Sequence, residues 1–293
     1  MADNGMEQLE ACPLCGAGTI SLADELASVW HCKQCGCFFD NPRPTPEEIE
    51  RFYSRPVQYD EWLKEIPERD TLWKRRLQKI LVHAKPGSLL DVGAGIGQFL
   101  HIARERFTEI AGTEVSEQAV EIAAKKFSVH LCQGRVETID FGKKVFNNIT
   151  LIHVLEHVHA PLELLERCGE LLSPGGMLFI AVPNEIYSLP LQWRRVLIRI
   201  GLKKNRRVGL LGIPRIVLDG TLPEIHLSHF TPESLAIALA DRGFTVVDSG
   251  LDQYYVARGA RKLKEHLNYL SCCLFFRLFN KNIYQTMWLV ARK

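Results

Sequence analysis

Residues 89–100 read Leu-Leu-Asp-Val-Gly-Ala-Gly-Ile-Gly-Gln-Phe-Leu, and this stretch restricts the fold more than any other. Leu89, Leu90 and Val92 have strand character. Gly93, Gly95 and Gly97 follow at alternate positions, and a helical pattern begins after them. A strand that turns on glycines into a helix leaves backbone N–H groups free above the turn. It also lets a ligand lie close against the backbone. The turn therefore reads as the floor of a nucleoside-cofactor site. A dinucleotide fold wants G-x-G-x-x-G; counted from Gly93 and Gly95, the third position is Gln98, and Gly97 comes one residue early. No Gly-Lys-Ser/Thr follows, which excludes a P-loop.

The downstream order is strand, helix, strand, helix. Glu109–Glu114 reads as a second strand ending in an acid that can accept hydrogen bonds from a ribose. Ser116 caps a helix running to Lys126. Ser128–Leu131 is expected as a third strand, and Gln133–Glu137 as the loop after it. Val145–His153 is a fourth strand, Pro161–Leu172 a helix, Ser173–Gly176 a turn and Met177–Asn184 a buried fifth strand. Phe244–Asp248 and Gln285–Ala291 complete the set. The series specifies a doubly wound α/β sheet.

The pattern D-x-G-x-G-x-G at Asp91–Gly97, Glu114, His153-Val154-Leu155-Glu156-His157-Val158, Pro174-Gly175-Gly176 and Val182-Pro183-Asn184 occur in this order. Together they resemble class I S-adenosylmethionine-dependent methyltransferases, of the broad group that includes ubiquinone-pathway enzymes and enzymes encoded with surface-polysaccharide genes. The resemblance implies a seven-stranded Rossmann-like methyltransferase sheet, mostly parallel with the last strand antiparallel. It implies Asp91, Gly93, Ala94, Gly95, Gly97, Glu114, Val136, Glu137 and His153 as cofactor-binding residues. In similar enzymes the adenine ring lies near the loop after the third strand, often beside an Asp. Arg135 takes that place here, so recognition is assigned to Val136 or Glu137. His157 is expected near the methyl group. His226 and His229, in the His-Leu-x-His-Phe-Thr segment, sit on a loop that could close over the substrate. His157, His226 and His229 are thus the candidates for general base. Related enzymes with E-x-x-E-H at residues 153–157 hold a divalent ion; His153 stands here in place of the first acid. As a string, H-x-x-E-H also matches certain zinc peptidases, but that motif needs both histidines on one helix, and here it follows a strand.

Ahead of this lies a doubled knuckle. Cys12-x-x-Cys15-Gly16 and Cys32-x-x-Cys35-Gly36 are separated by sixteen residues, the spacing of a four-cysteine zinc ribbon. Four protein ligands leave no open position, so such a zinc is structural. Cys37 is a spare, and His31 could in principle replace one sulfur. The expected division is a ribbon over 1–42, a linker with helices over 43–86, and a methyltransferase domain over 87–293. That domain carries a basic helical insertion at about 186–222.

From Ile186 to Leu218 there is no acidic residue, while Arg194, Arg195, Arg199, Lys203, Lys204, Arg206, Arg207 and Arg215 fall within it. This predicts an anionic small-molecule substrate or contact with a membrane surface. A net charge of only +2 and few aromatics in the basic run argue against nucleic acid. A polar N-terminus and nine cysteines without a secretion signal point to a reducing, cytoplasmic setting. The expected activity is methyl transfer to a sugar, nucleotide-sugar or lipid-linked acceptor. The alternatives are an RNA methyltransferase that clamps its substrate with the ribbon, and an inactive interaction protein of the same fold.

Overall fold

The structure, a computed structural model, describes residues 5–53, 59–202, 207–219, 221–222, 224–254 and 256–293. Lys203, Lys204 and Arg206 of the basic run lie outside the described residues. The N-terminal strands are β1 (Met6–Glu7), β2 (Ile20–Asp24), β3 (Val29–Cys32), β4 (Phe38–Asp40) and β5 (Arg43–Pro44). Helices α1 (Pro46–Tyr53), α2 (Tyr59–Lys64) and α3 (Ile66–Leu81) follow. The glycine turn joins β6 (Ser88–Val92) to α4 (Gln98–Ala103). Then come β7 (Glu109–Glu114), α5 (Glu117–Ile122, continued by a wider turn to Phe127), β8 (Cys132–Gln133), β9 (Phe146–Ile152), α6 (Pro161–Leu171) and β10 (Leu172–Pro183). The last third holds α7 (Leu189–Arg199), β11 (Ser228–His229), α8 (Pro232–Ala240), β12 (Thr245–Leu251), α9 (Gly259–Phe279) and β13 (Thr286–Arg292).

The main sheet has the order β12-β13-β10-β9-β6-β7-β8. β6, β7, β8, β9 and β10 are mutually parallel, and β13 runs antiparallel to both neighbours. This is the expected seven-stranded, doubly wound Rossmann-like sheet with its last strand antiparallel. Alternation within each strand produces the two layers. Leu90, Leu178, Ile180, Val182 and Leu289 pack with α6 and α8 on one face. Leu89, Phe179, Ala181, Trp288 and Val290 pack with α3, α4 and α5 on the other. Strand order reverses between β6 and β9, and the ligand crevice of such sheets opens at the strand ends there.

Local signals hold at most boundaries. Ser116 Oγ accepts from Ala119 N–H, and Thr231 with Ser234 forms a reciprocal capping box at α8. Two elements differ from expectation. The third strand forms at Cys132–Gln133 rather than Ser128–Leu131, because Ser128 turns left-handed at φ 53° and delays the pairing. Residues Ser173–Gly176 bulge within β10 instead of preceding it; the register shifts between Leu172 and Met177.

The ribbon's sheet has the order β11-β4-β3-β2. Its edge strand β11 comes from residues 228–229, so the four strands are not drawn from the first 42 residues alone. The ribbon side chains Leu14, Cys35 and Phe39 share one continuous core with α6, α8 and the main sheet. The insertion also rests on the ribbon: Ile186 and Ile213 pack on Ala27 and Val29, and Leu211 N–H donates to Asp24 Oδ2 at 2.6 Å.

Candidate active site

The glycine turn forms one wall of a cavity of about 860 Å³ above the crevice. Gly93 and Gly97 hold φ of 67° and 74°. A Cβ on Gly93 would come within 2.6 Å of Val154, and one on Gly97 within 2.9 Å of Ala123. Only glycine fits such a backbone at that packing distance. Gly97 does not line the cavity; it brings α4 against α5. Asp91, Gly93, Ala94, Gly95, Glu114, Val136, Glu137 and His153 all line it.

Glu114 ends β7 beside the turn. Its carboxylate accepts from Gly95 N–H at 2.8 Å and Ser116 N–H at 3.0 Å, and burial pushes its pKa up. Asp91 is buried beneath the turn, with Thr150 Oγ1 donating to its Oδ1 at 2.6 Å; burial lifts its carboxyl to about 7. Arg135 turns to Glu137 at 3.2 Å. His153 follows β9 at φ 56°, its ring against Tyr254 and its nitrogens within reach of Arg76 and Glu156. Residues 153–157 form a turn and not a helix, which removes the geometry a zinc peptidase needs.

The three candidate histidines have different surroundings. His157 lines the cavity, with Nδ1 at 2.8 Å from the Ile225 carbonyl and 2.7 Å from the Tyr53 hydroxyl. A carbonyl can only accept, so Nδ1 carries the proton and Nε2 keeps a lone pair. Burial lowers the pKa of His157, which favours this neutral ring. His226 also lines the cavity, with Glu185 at 3.0 Å and Glu224 at 3.5 Å. Burial alone would lower its pKa, but these carboxylates hold it well above the ordinary value, so the ring is cationic. His226 in turn pulls Glu224 down to about 2. His229 does not reach the cavity. It is buried between Glu185 and Asp40, with Asp40 Oδ2 at 2.9 Å from Nε2, and the two acids outweigh burial to carry it up to about 9. His229 thus joins the ribbon strand β4 to the segment after β10.

Two clusters could hold a metal. The ligand atoms of Cys12, Cys15, Cys32 and Cys35 all lie within 4.8 Å of one another, with Sγ separations of 3.7 Å for Cys12–Cys35 and 3.6 Å for Cys15–Cys32. A tetrahedral thiolate site with metal–sulfur bonds of about 2.3 Å sets its sulfurs about 3.8 Å apart, so the four cysteines fit one ion. Cys37 and His31 stand outside this set: Cys37 Sγ lies against the Phe38 carbonyl, and His31 stacks on Phe38. Glu156, His157 and His226 form the second cluster, and Glu156 Oε2 is buried without a partner.

The opposite wall was not legible in the sequence. Trp62 of α2 and Arg69, Trp73 and Arg76 of α3 line the cavity, with Tyr254 from the segment after β12. The Trp62 ring lies 3.0 Å from where a Gly95 Cβ would stand, so it roofs the glycine turn. The signal was present but mixed: Arg69, Leu72, Trp73 and Arg76 recur at helical spacing, and the apolar members alone read as a core stripe.

Comparison with known proteins agrees with this geometry. The chain is 29% identical over 106 residues to a ubiquinone biosynthesis O-methyltransferase of Coxiella burnetii, covering 34% of this chain and 45% of that protein. The chain thus spans less than half the length of that relative. A protein of the same description from Colwellia psychrerythraea is 24% identical over 196 residues, covering 63% and 72% of the two chains. Among solved structures, an S-adenosylmethionine dependent methyltransferase from Mesorhizobium loti shares the fold with a TM-score of 0.51 at 16% identity, covering 75% of this chain and 96% of that one. The profile of a methyltransferase-domain family matches residues 65–249, from the start of α3 into β12 and across both walls of the cavity, and the chain belongs to that family.

Proposed function

We propose that this protein transfers a methyl group from S-adenosylmethionine to an anionic small-molecule acceptor, of the sugar, nucleotide-sugar or lipid-linked kind. The observation that carries the reading is the convergence in one cavity of the glycine turn, a strand-end carboxylate at Glu114 and a histidine, His157, whose Nε2 carries no proton and has Glu156 near it, at 3.7 Å. Bound there, S-adenosylmethionine supplies a methyl group already activated on a sulfonium. Glu114 would accept from the ribose hydroxyls, and Val136 and Glu137 would flank the adenine. Trp62 and Tyr254 would exclude water from the reacting end. His157 Nε2 would take the acceptor's proton while the Ile225 carbonyl holds the ring's tautomer and orientation. Zinc in the cysteine cluster would be structural. Calorimetry with S-adenosylhomocysteine on zinc-loaded protein tests the reading; an absence of binding would sink it.

Contact with an anionic membrane surface is a second part of this proposal, supported by apolar exposure on two helices. Helix α7 buries no residue and exposes Trp193 and Val196 beside Arg194 and Arg199. Helix α9 exposes Leu263, Leu267, Leu270, Leu274 and Leu278 at helical spacing. Among the described residues no helix is long and apolar enough to cross a membrane; the pattern suits a helix lying on one. Sedimentation with phosphatidylglycerol vesicles should retain the protein, and W193D should release it. Equal retention on neutral vesicles would count against the charge argument.

A further inference from the structure

Arg69 is a buried cation that forms no ion pair among the described residues; Glu65 attracts it only from a longer distance. It is 8% exposed and lines the cavity from α3, its guanidinium 4.2 Å above the centre of the Trp62 ring. Among the described residues no carboxylate oxygen lies within 4.0 Å of its nitrogens, and its buried Nε has no acceptor. The contrast lies two turns along the same helix. Arg76 is just as buried, but it pairs with Asp252 and reaches His153. Between them, the indole Nε1 of Trp73 is also buried without an acceptor. A buried charge is expensive unless it is paired. Burial already presses the Arg69 guanidinium below its ordinary pKa. A planar guanidinium fork matches the two oxygens of a carboxylate or phosphate, and stacking on an aromatic ring fixes its plane.

We propose that Arg69, shelved on Trp62, is the seat of an oxyanion, a carboxylate or a phosphate, inside this cavity. The anion arrives either as the amino-acid carboxylate of the cofactor or as an acidic group on the acceptor. In both cases the inference rests on the methyltransferase reading for the identity of the ligand, but not for the chemistry of the seat.

The test uses full-length protein and the variants R69M and R69K, each checked for a native melt. Two probe pairs isolate the charge: S-adenosylhomocysteine with 5′-methylthioadenosine, which lacks the amino-acid end, and benzoate with its neutral isostere benzamide. Binding is read by calorimetry and by tryptophan fluorescence. If the anion is the cofactor's, R69M weakens S-adenosylhomocysteine at least tenfold and leaves methylthioadenosine unchanged. If it belongs to the acceptor, R69M leaves both nucleosides unchanged and abolishes a wild-type preference for benzoate over benzamide. R69K, which keeps the charge and loses the fork, should fall between wild type and R69M; it carries the test if R69M does not fold. Wild-type protein that binds benzoate but no S-adenosylhomocysteine would support the seat and overturn the methyltransferase reading. Undiminished affinity for all four probes in both variants would overturn the seat.

Discussion

At the residue scale, the site depends on positions that admit one chemistry. Gly95 holds φ at 54°, and its missing Cβ leaves room for the Trp62 roof. G95V adds left-handed strain of about 1–2 kcal/mol and displaces that roof, so S-adenosylhomocysteine affinity should fall by about tenfold or more in calorimetry while the far-ultraviolet spectrum is kept. His157 should act as a base in its neutral form. Because burial lowers its pKa, the rate should climb as pH rises toward 6.5 and then level off. H157N should slow turnover by about 10²- to 10⁴-fold and flatten that limb of a pH–rate profile, with cofactor affinity unchanged. Unchanged turnover in H157N would move the base elsewhere. The roles of the three histidines could not be separated from the sequence, because spacing says nothing of which carboxylate will face which ring. Burial and the positions of Glu185, Glu224 and Asp40 separate them.

At the element scale, the two-residue strand β11 couples the ribbon to the wall of the site. Ser228 and His229 pair with Phe39 and Phe38, while Leu227 N–H donates to the Glu156 carbonyl at 2.8 Å. His229 sits at the joint. Its folded pKa of about 9 exceeds the ordinary 6.5, so the stability that its protonated ring provides is complete below 6.5 and is lost as pH rises through 9. Melting curves should therefore show wild type losing on the order of 3 kcal/mol relative to H229Q across that window, with the variant less stable at pH 6. Parallel pH profiles for the two proteins would remove the joint. Long, continuously apolar strands such as β10 and β13 were readable because burial on both faces writes itself into every residue. β11 was not: two residues carry no period, and their partner strand lies 189 positions away at the His229–Asp40 contact.

At the scale of the whole molecule, the cysteine cluster, the ribbon sheet and the cavity wall form one chain of contacts. Cys32 ends β3, β3 pairs with β4, β4 pairs with β11, and Glu185 links His229 to the cavity residue His226. Metal removal should consequently reach the site. Chelation with a strong zinc ligand, or C15S, should raise amide exchange in 10–40 and also in 225–230, and lower turnover, while the main sheet keeps its protection. Exchange confined to the first 42 residues would show instead that the ribbon is energetically separate.

The sequence by itself determined the succession of strands and helices, the glycine turn, Glu114 after it and the grouping of four cysteines. These are short-range signals: a period, a spacing or a backbone conformation that one residue type accepts. Only the tertiary structure decided that His229 is a buried strut outside the cavity, that the ribbon borrows a strand from the C-terminal third, and that α3 turns Arg69 into the site. Each of those depends on contacts between segments far apart in the chain. Their physical content is a burial cost and a partner's charge, and neither exists until the segments meet.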